Sequence, residues 1–213
     1  MSCRRFILGL FTVLFLSAAG AHPVSYQDNI GIMSYNSQKM NDLLLTYSLT
    51  PRFAVAHTYI RDSKSEFYIP RANFLLKRWN ETDSQANIYF SFGSGIEKFN
   101  SINSSAHLGE LVLDWETRKY YTSLTHLYLR RDNQTNTALP LQDYNYTKAR
   151  LGFAPFLADY EDLNVWFISQ FEKRNDEAQI ETMQFLRFYR KNVLWEIGAG
   201  FDGSLAFNFM IHL

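Results

Sequence analysis

The chain has 213 residues with 21 Lys+Arg against 21 Asp+Glu, so no net charge draws it to nucleic acid. A single cysteine excludes an internal disulfide framework and a cysteine metal centre. Aromatics reach 16% while mean hydropathy stays at −0.24, a combination that sheets with one apolar and one polar face produce and uniformly apolar helices do not.

The N-terminus carries Arg4-Arg5, an apolar run from Phe6 to Leu16, and the small residues Ser17-Ala18-Ala19-Gly20-Ala21. That order predicts a secretory signal over residues 1–21 with cleavage before His22. Its apolar core is too short to span a bilayer as a helix of about 20 residues. Cys3 lies inside this segment, so the processed chain has no thiol. No later stretch reads as a transmembrane helix, and residues 22–213 suit one domain.

Beyond His22 the chain divides into about a dozen segments of period-two character separated by polar breaks, the pattern of consecutive antiparallel hairpins. Leu43, Leu45, Tyr47 and Leu49 share a face; Thr50-Pro51-Arg52 turns the chain, and Phe53, Val55 and Tyr59 resume it. Tyr68, Pro70, Ala72, Phe74 and Leu76 oppose Arg71, Asn73 and Lys77. After a reversal over 80–85, Ala86, Ile88, Phe90 and Phe92 oppose Asn87, Tyr89, Ser91 and Gly93. Leu111, Leu113 and Trp115 oppose Glu110, Asp114 and Glu116, and the chain turns tightly at Arg118-Lys119. Past the longest break, Arg131 to Asp143, Ala149, Leu151 and Phe153 oppose Lys148 and Arg150. Val193, Trp195, Ile197, Ala199 and Phe201 oppose Glu196, Gly198, Gly200 and Asp202. Segments 120–131, 163–173 and 180–190 alternate poorly, and their facing stays open. The final run sets Leu205, Phe207, Phe209, Ile211 and Leu213 against Ala206, Asn208, Met210 and His212.

The fold predicted is all-β: an antiparallel up-and-down transmembrane β-barrel of about twelve strands, with apolar rows toward lipid and polar rows toward the lumen. A soluble exported barrel of lipocalin type, with apolar rows inside, shows the same alternation. An even strand count puts both chain ends on one side, the periplasmic one, with the breaks at Pro51, 80–85, 117–119, 158–162 and 190–192. Trp79, Trp115, Trp166 and Trp195, with Tyr120, Tyr121, Tyr189 and Phe53, then gather at that end as an interfacial girdle, which favours lipid. Tyr59, Tyr68, Tyr128, Tyr144 and Tyr146 make a looser belt at the other end.

The inward rows bring Arg71, Lys77, Glu110, Asp114, Glu116, Lys148, Arg150, Glu196, Asp202 and His212 into one narrow lumen. Mixed signs favour pairing, so a plugged or very narrow interior with a structural ion-pair network competes with a selective permeation path. Ser105 and His107, two apart on one strand, offer a nucleophile and a base near the external rim. A polar rim contact is the commoner explanation, because no orienting acid is fixed by the sequence. His22, His57, His107, His126 and His212 have no metal-ligand spacing, and no metal or cofactor is expected. Asn-X-Ser/Thr matches at Asn80, Asn103, Asn133 and Asn145 fall in breaks and strand ends, where chance produces them.

From His22-Pro23-Val24-Ser25-Tyr26, through Gly31-Ile32-Met33-Ser34, to Phe207-Asn208-Phe209-Met210-Ile211-His212-Leu213, the chain resembles small outer-membrane β-barrel proteins of Gram-negative bacteria. The terminal row Phe207, Phe209, Ile211 and Leu213 is similar to the signal that the barrel-assembly machinery recognises, with Leu213 in place of the more usual Phe. The resemblance implies an outer-membrane location, with outer-membrane lipid and the assembly machinery as partners, and transfers no catalytic residue. The expected role is structural or the narrow permeation of a small solute or ion, without enzymatic activity. A lipid-acting hydrolase using Ser105 and His107, and a surface binding or adhesion protein, are the alternatives; the short external breaks leave the latter little interface.

Overall fold

The computed structural model describes residues 22–99, 102–132 and 143–213. The predicted signal segment with Cys3, and most of the longest break with Asn133, Asn136 and Pro140, lie outside the described residues. Twelve strands follow in order: β1 Ile30–Ser37, β2 Met40–Thr50, β3 Phe53–Asp62, β4 Ser65–Asn80, β5 Ser84–Phe99, β6 Ile102–Thr117, β7 Tyr120–Arg131, β8 Tyr144–Phe153, β9 Asn164–Arg174, β10 Glu181–Arg190, β11 Val193–Gly200 and β12 Leu205–His212. Each pairs antiparallel with its neighbours in sequence, and β1 pairs β12, with Ile32 opposite Ile211 and Tyr35 opposite Asn208. The barrel is therefore closed, and among the described residues no strand is left with an unpartnered edge. This is the architecture expected from the alternation, with the strand breaks where the polar interruptions fall.

Exposure settles which row faces out. Every strand contributes a large apolar side chain to the outer surface: Ile30, Leu45, Val55, Leu76, Phe90, Leu111, Leu124, Leu151, Phe167, Leu186, Ile197 and Phe207 are all exposed. Keeping such a side chain in water instead of burying it forgoes about 1.5–3 kcal/mol each. A continuous belt of them is incompatible with a dissolved monomer, so the lipocalin arrangement, with apolar rows inside, is excluded.

The interior is filled rather than open. Ile60, Phe67, Ile69, Ala106, Leu108, Leu127, Leu129, Tyr144 and Tyr146 pack together inside, toward the end opposite the chain termini. Tyr121, Ile168, Met183, Phe185 and Ala206 form a second cluster, joined by Trp166. Two smaller ones lie around Val24, Ala54, Leu75 and Tyr89, and around Met33, Leu44, Leu194 and Met210. Mixed apolar and polar inward rows explain why β7, β9 and β10 lack alternation in the sequence: both of their faces are apolar in places.

Two local features shape the ladder. A bulge between Leu75 and Lys77 adds a residue to β4, so Lys77 pairs with the outward Ile88 and its ammonium lies 5.6 Å from the Trp79 ring. Lys77 is thus outside, contrary to its expected inward place, and Arg78 takes the inward position. Near the other end of β4, Pro70 has no donor for the ladder, and the β4–β5 backbones come close: a Cβ on Gly95 would lie 2.0 Å from the Tyr68 carbonyl oxygen. Gly95→Ala is expected to cost about 1–3 kcal/mol, read as a lower denaturant midpoint in lipid or detergent. Gly109→Ala, where a Cβ meets nothing within 4 Å, is the control and should show no such loss.

Four of the predicted girdle residues, Trp79, Trp115, Trp195 and Tyr120, are on the outer face at the end where β1 begins and β12 ends; Trp195 stacks on Phe188 at 4.1 Å. Trp166, Tyr121 and Tyr189 are not. Trp166 and Tyr121 pack in the second interior cluster and Tyr189 against the Met33 cluster. Tyr144 and Tyr146 of the expected outer belt are buried inside as well, whereas Tyr59, Tyr68 and Tyr128 face out. Phe207 of the terminal row is exposed on the outer face with Phe209 and Ile211 alongside, and Leu213 follows just past β12.

Candidate functional site

Among the apolar clusters a charged cavity of about 130 Å³ persists, lined by Tyr35, Asp42, Arg71, Glu110, Lys148 and Arg150 among others. It extends between Pro23 at one end and Lys39 and Glu181 at the other. The strand pleat aims every second residue of β2, β4, β6 and β8 into it.

Its walls hold two ion-paired groups. On one side each nitrogen of the Arg71 guanidinium donates a hydrogen bond: to the Glu110 carboxylate, to Asn73 Oδ1 at 2.8 Å and to Thr58 Oγ1 at 3.3 Å. On the other, Glu196 is 1% exposed and accepts from three donors: Arg150 Nη2 at 2.8 Å, Arg187 Nε at 2.7 Å and Asn208 Nδ2 at 2.6 Å. The two guanidiniums also lie on the rings of Phe185 and Tyr121, at 5.1 and 4.6 Å. Between these groups Lys148 Nζ is 3.9 Å from Glu172 and 4.9 Å from the Tyr146 ring. Not every polar atom is satisfied: Asp42 Oδ1 and Arg150 Nε are buried without a hydrogen-bond partner among the described residues.

At the end carrying the termini, Asp114 accepts from Asn87 Nδ2 at 2.6 Å, and Glu116 lies beside it on the same inward row of β6. His22 reaches both carboxylates, and His212 is half-buried on the inward row of β12. At the opposite end Lys39, in the β1–β2 turn, spans the mouth to Glu177 and Glu181, both at 2.8 Å. Partial burial works against the Lys39 ammonium, but the two carboxylates outweigh it and hold its pKa above the usual value. Arg131 bridges in the same region to Asp62 at 3.0 Å and Glu97 at 3.4 Å.

Of the charges expected in the lumen, Arg71, Glu110, Asp114, Glu116, Lys148, Arg150 and Glu196 line it as placed by the alternation. Lys77 is outside through the bulge. Asp202 is in the exposed β11–β12 turn, where its carboxylate accepts from Ser204 N at 3.0 Å and caps a bend through Gly203, at φ +85°. Sequence reasoning missed Asp42, Arg78, Glu97, Arg131, Glu172 and Arg187. One of these was recoverable: a two-residue turn at Lys191-Asn192 sets Arg187 opposite Glu196 by counting alone, and the register has them paired.

Ser105 and His107 share the outer face of β6 near the rim opposite the termini. His107 Nε2 lies 3.2 Å from Asp132 Oδ2, an acid that the sequence did not identify. Arg130 Nε is 3.5 Å from the other Asp132 oxygen, and among the described residues no hydrogen bond joins Ser105 to His107. The three residues are a polar rim contact with the parts, but not the geometry, of a nucleophile and base. Among the described residues no cluster of His, Cys, Asp and Glu suits a metal ion.

No protein-family model matches the chain, and no curated protein sequence does. Solved structures match in shape. One described as KdgM porin in complex with disordered oligogalacturonate superposes with a TM-score of 0.50 at 12% identity, covering 86% of this chain and 97% of that one. KdgM porin by itself gives 0.47 at 10% identity, over 86% and 97%. OccAB4 of Acinetobacter baumannii gives 0.42 at 12% identity, over 85% of this chain and 56% of that chain. At such identities the likeness is one of fold: the chain has a closed β-barrel similar to that of the KdgM porin complex.

Proposed function

We propose that this chain is an integral outer-membrane barrel that passes small solutes or ions through a narrow, charged lumen. The membrane part rests on the apolar belt contributed by all twelve strands. The permeation part rests on one observation, the charged cavity that retains unpartnered polar atoms at Asp42 and Arg150. Such atoms are handles for water or a polar solute in transit. The lining balances Asp42, Glu110, Asp114, Glu172 and Glu181 against Lys39, Arg71, Lys148, Arg150 and Arg174, so it offers no excess of positive charge to a polyanionic saccharide of the kind bound to the KdgM porin. That balance favours small neutral or zwitterionic solutes. The terminal row Phe207, Phe209, Ile211 and Leu213, facing out, supports delivery to the membrane by the barrel-assembly machinery.

Extracted from outer membranes, the protein should migrate differently on gels before and after boiling, and in planar bilayers it should show rare, small openings. A steady absence of openings across voltages removes the permeation reading and leaves a structural barrel. A second reading, a lipid hydrolase at the rim, draws on the Asp132–His107 pair. It fails if the wild type releases no fatty acid from vesicles, or if His107→Ala releases as much.

A further inference from the structure

Residues 22–25 do not trail away from the barrel; they are tucked into its mouth. Val24 is 1% exposed and packs with Ala54, Leu75 and Tyr89. The Pro23 carbonyl accepts from Asn73 Nδ2 at 3.1 Å, and Ser25 N donates to Ser48 Oγ at 2.9 Å. The His22 ring stacks on Tyr89, centroids 5.4 Å apart, and puts Nδ1 3.5 Å from Asp114 Oδ2 and Nε2 3.7 Å from Glu116 Oε1.

The niche around the ring has the chemistry of a cation site. Asp114 and Glu116 are 9% and 4% exposed. Two carboxylates so close and so buried need a positive charge between them. The Arg78 guanidinium donates to Asn87 at 2.6 Å and to the Tyr89 hydroxyl at 3.0 Å, and among the described residues it makes no ion pair with either carboxylate. The face of Tyr89 adds an aromatic shelf of the kind that cations prefer. The seat is also loose: Glu116 Oε1 and both His22 ring nitrogens lack a hydrogen-bond partner among the described residues. Burial disfavours the imidazolium, but the nearby carboxylates of Asp114 and Glu116 outweigh it and raise the His22 pKa.

We propose that the niche of Asp114, Glu116 and Tyr89 is a binding site for a small organic cation, filled in this structure by the chain's own His22. Residues 22–25 are then a tethered plug, and a free amine or imidazolium solute reaches the niche by displacing it. The binding half stands apart from the permeation reading; the plugging half rests on it.

The experiment is replacement of the tethered ring by a free one. Protein from membranes is compared as wild type, His22→Gly, and His22→Gly with Asp114→Asn and Glu116→Gln. Processing is checked by mass and folding by heat-modifiable mobility. Imidazole is titrated at about pH 6, where the free ring is largely protonated, with binding followed calorimetrically and openings followed in planar bilayers. His22→Gly should bind imidazole at least roughly tenfold more tightly than either other protein. It should also open more often than wild type and close again as imidazole is added. No binding to His22→Gly, or equal binding when both carboxylates are neutralised, overturns the site. Should the neutralised variant fail to fold, Tyr89→Leu in the His22→Gly background takes its place and should bind imidazole more weakly; unchanged binding overturns the shelf and the site with it. Binding without openings in any of the proteins upholds the site and overturns the permeation reading.

Discussion

Replacing Glu196 by alanine is expected to destabilise the barrel by about 3–5 kcal/mol, the usual result of removing one partner from a buried ion pair. The carboxylate is shared by two guanidiniums, Arg150 and Arg187, that are 7% and 3% exposed. Without it both cations are held side by side in a packed interior, with Asn208 also losing its acceptor. The measurement is denaturant unfolding in micelles followed by tryptophan fluorescence. Glu196→Gln keeps an acceptor but not the charge and should recover only part of the loss. Replacing Arg150, Arg187 and Glu196 together by Met, Met and Leu removes the charges along with their desolvation cost, and should return most of the stability. Loss below about 1 kcal/mol for Glu196→Ala would mean that water reaches this group freely, and so that the lumen is open where the structure has it packed.

The twelve-strand barrel was legible because most strands carry a one-sided pattern, and Leu205–Leu213 and Val193–Phe201 show it without interruption. Facing became illegible where the inward row is itself apolar. Ile168, Met183, Phe185, Leu127 and Leu129 all point inward and erase the alternation of β7, β9 and β10. Tyr121, Trp166 and Tyr189 lie on these strands, and assigning them to the girdle relied on their height in the barrel without their side of it. Height was correctly inferred for Trp166, at the start of β9, yet its partner Arg187 fixes it as inward. Lys77 failed for a different reason: a single extra residue at the β4 bulge reverses parity downstream, and a bulge has no signature in hydropathy. The ion pairs were only half legible. Glu196 and Arg150 were visible as inward charges, but their contact joins β8 to β11, strands that are not neighbours, and depends on the width of the closed cylinder. The His22 niche was hidden altogether, since nothing in a five-residue stretch beginning His22-Pro23 announces that it folds back into the mouth.

An arginine in place of Phe92 tests the direction of the whole barrel. Phe92 is midway along β5, paired with Ala72 and Gly109, 52% exposed, and in ring contact with Phe74 and Phe90 at 5.9 and 6.0 Å. If this face met water, the exchange would change stability by no more than about 0.5 kcal/mol, as surface substitutions usually do. If it meets acyl chains near the bilayer midplane, the guanidinium costs about 2–4 kcal/mol. The expected outcome is the larger loss, measured by reversible unfolding from lipid vesicles. Depth supplies the control, because the same penalty falls to about 0–1 kcal/mol near the interface. Ser105, outward on β6 close to the rim, is at that shallower level, and Ser105→Arg should be tolerated. Equal, small effects at both positions would place the apolar belt in water, and with it remove the reason for assigning the barrel to a membrane. A steep difference between the two sites fixes the bilayer around the middle of β5, which puts the Arg71–Glu110 pair at the same depth inside the cylinder. There it is screened from lipid only by the thickness of the strand wall.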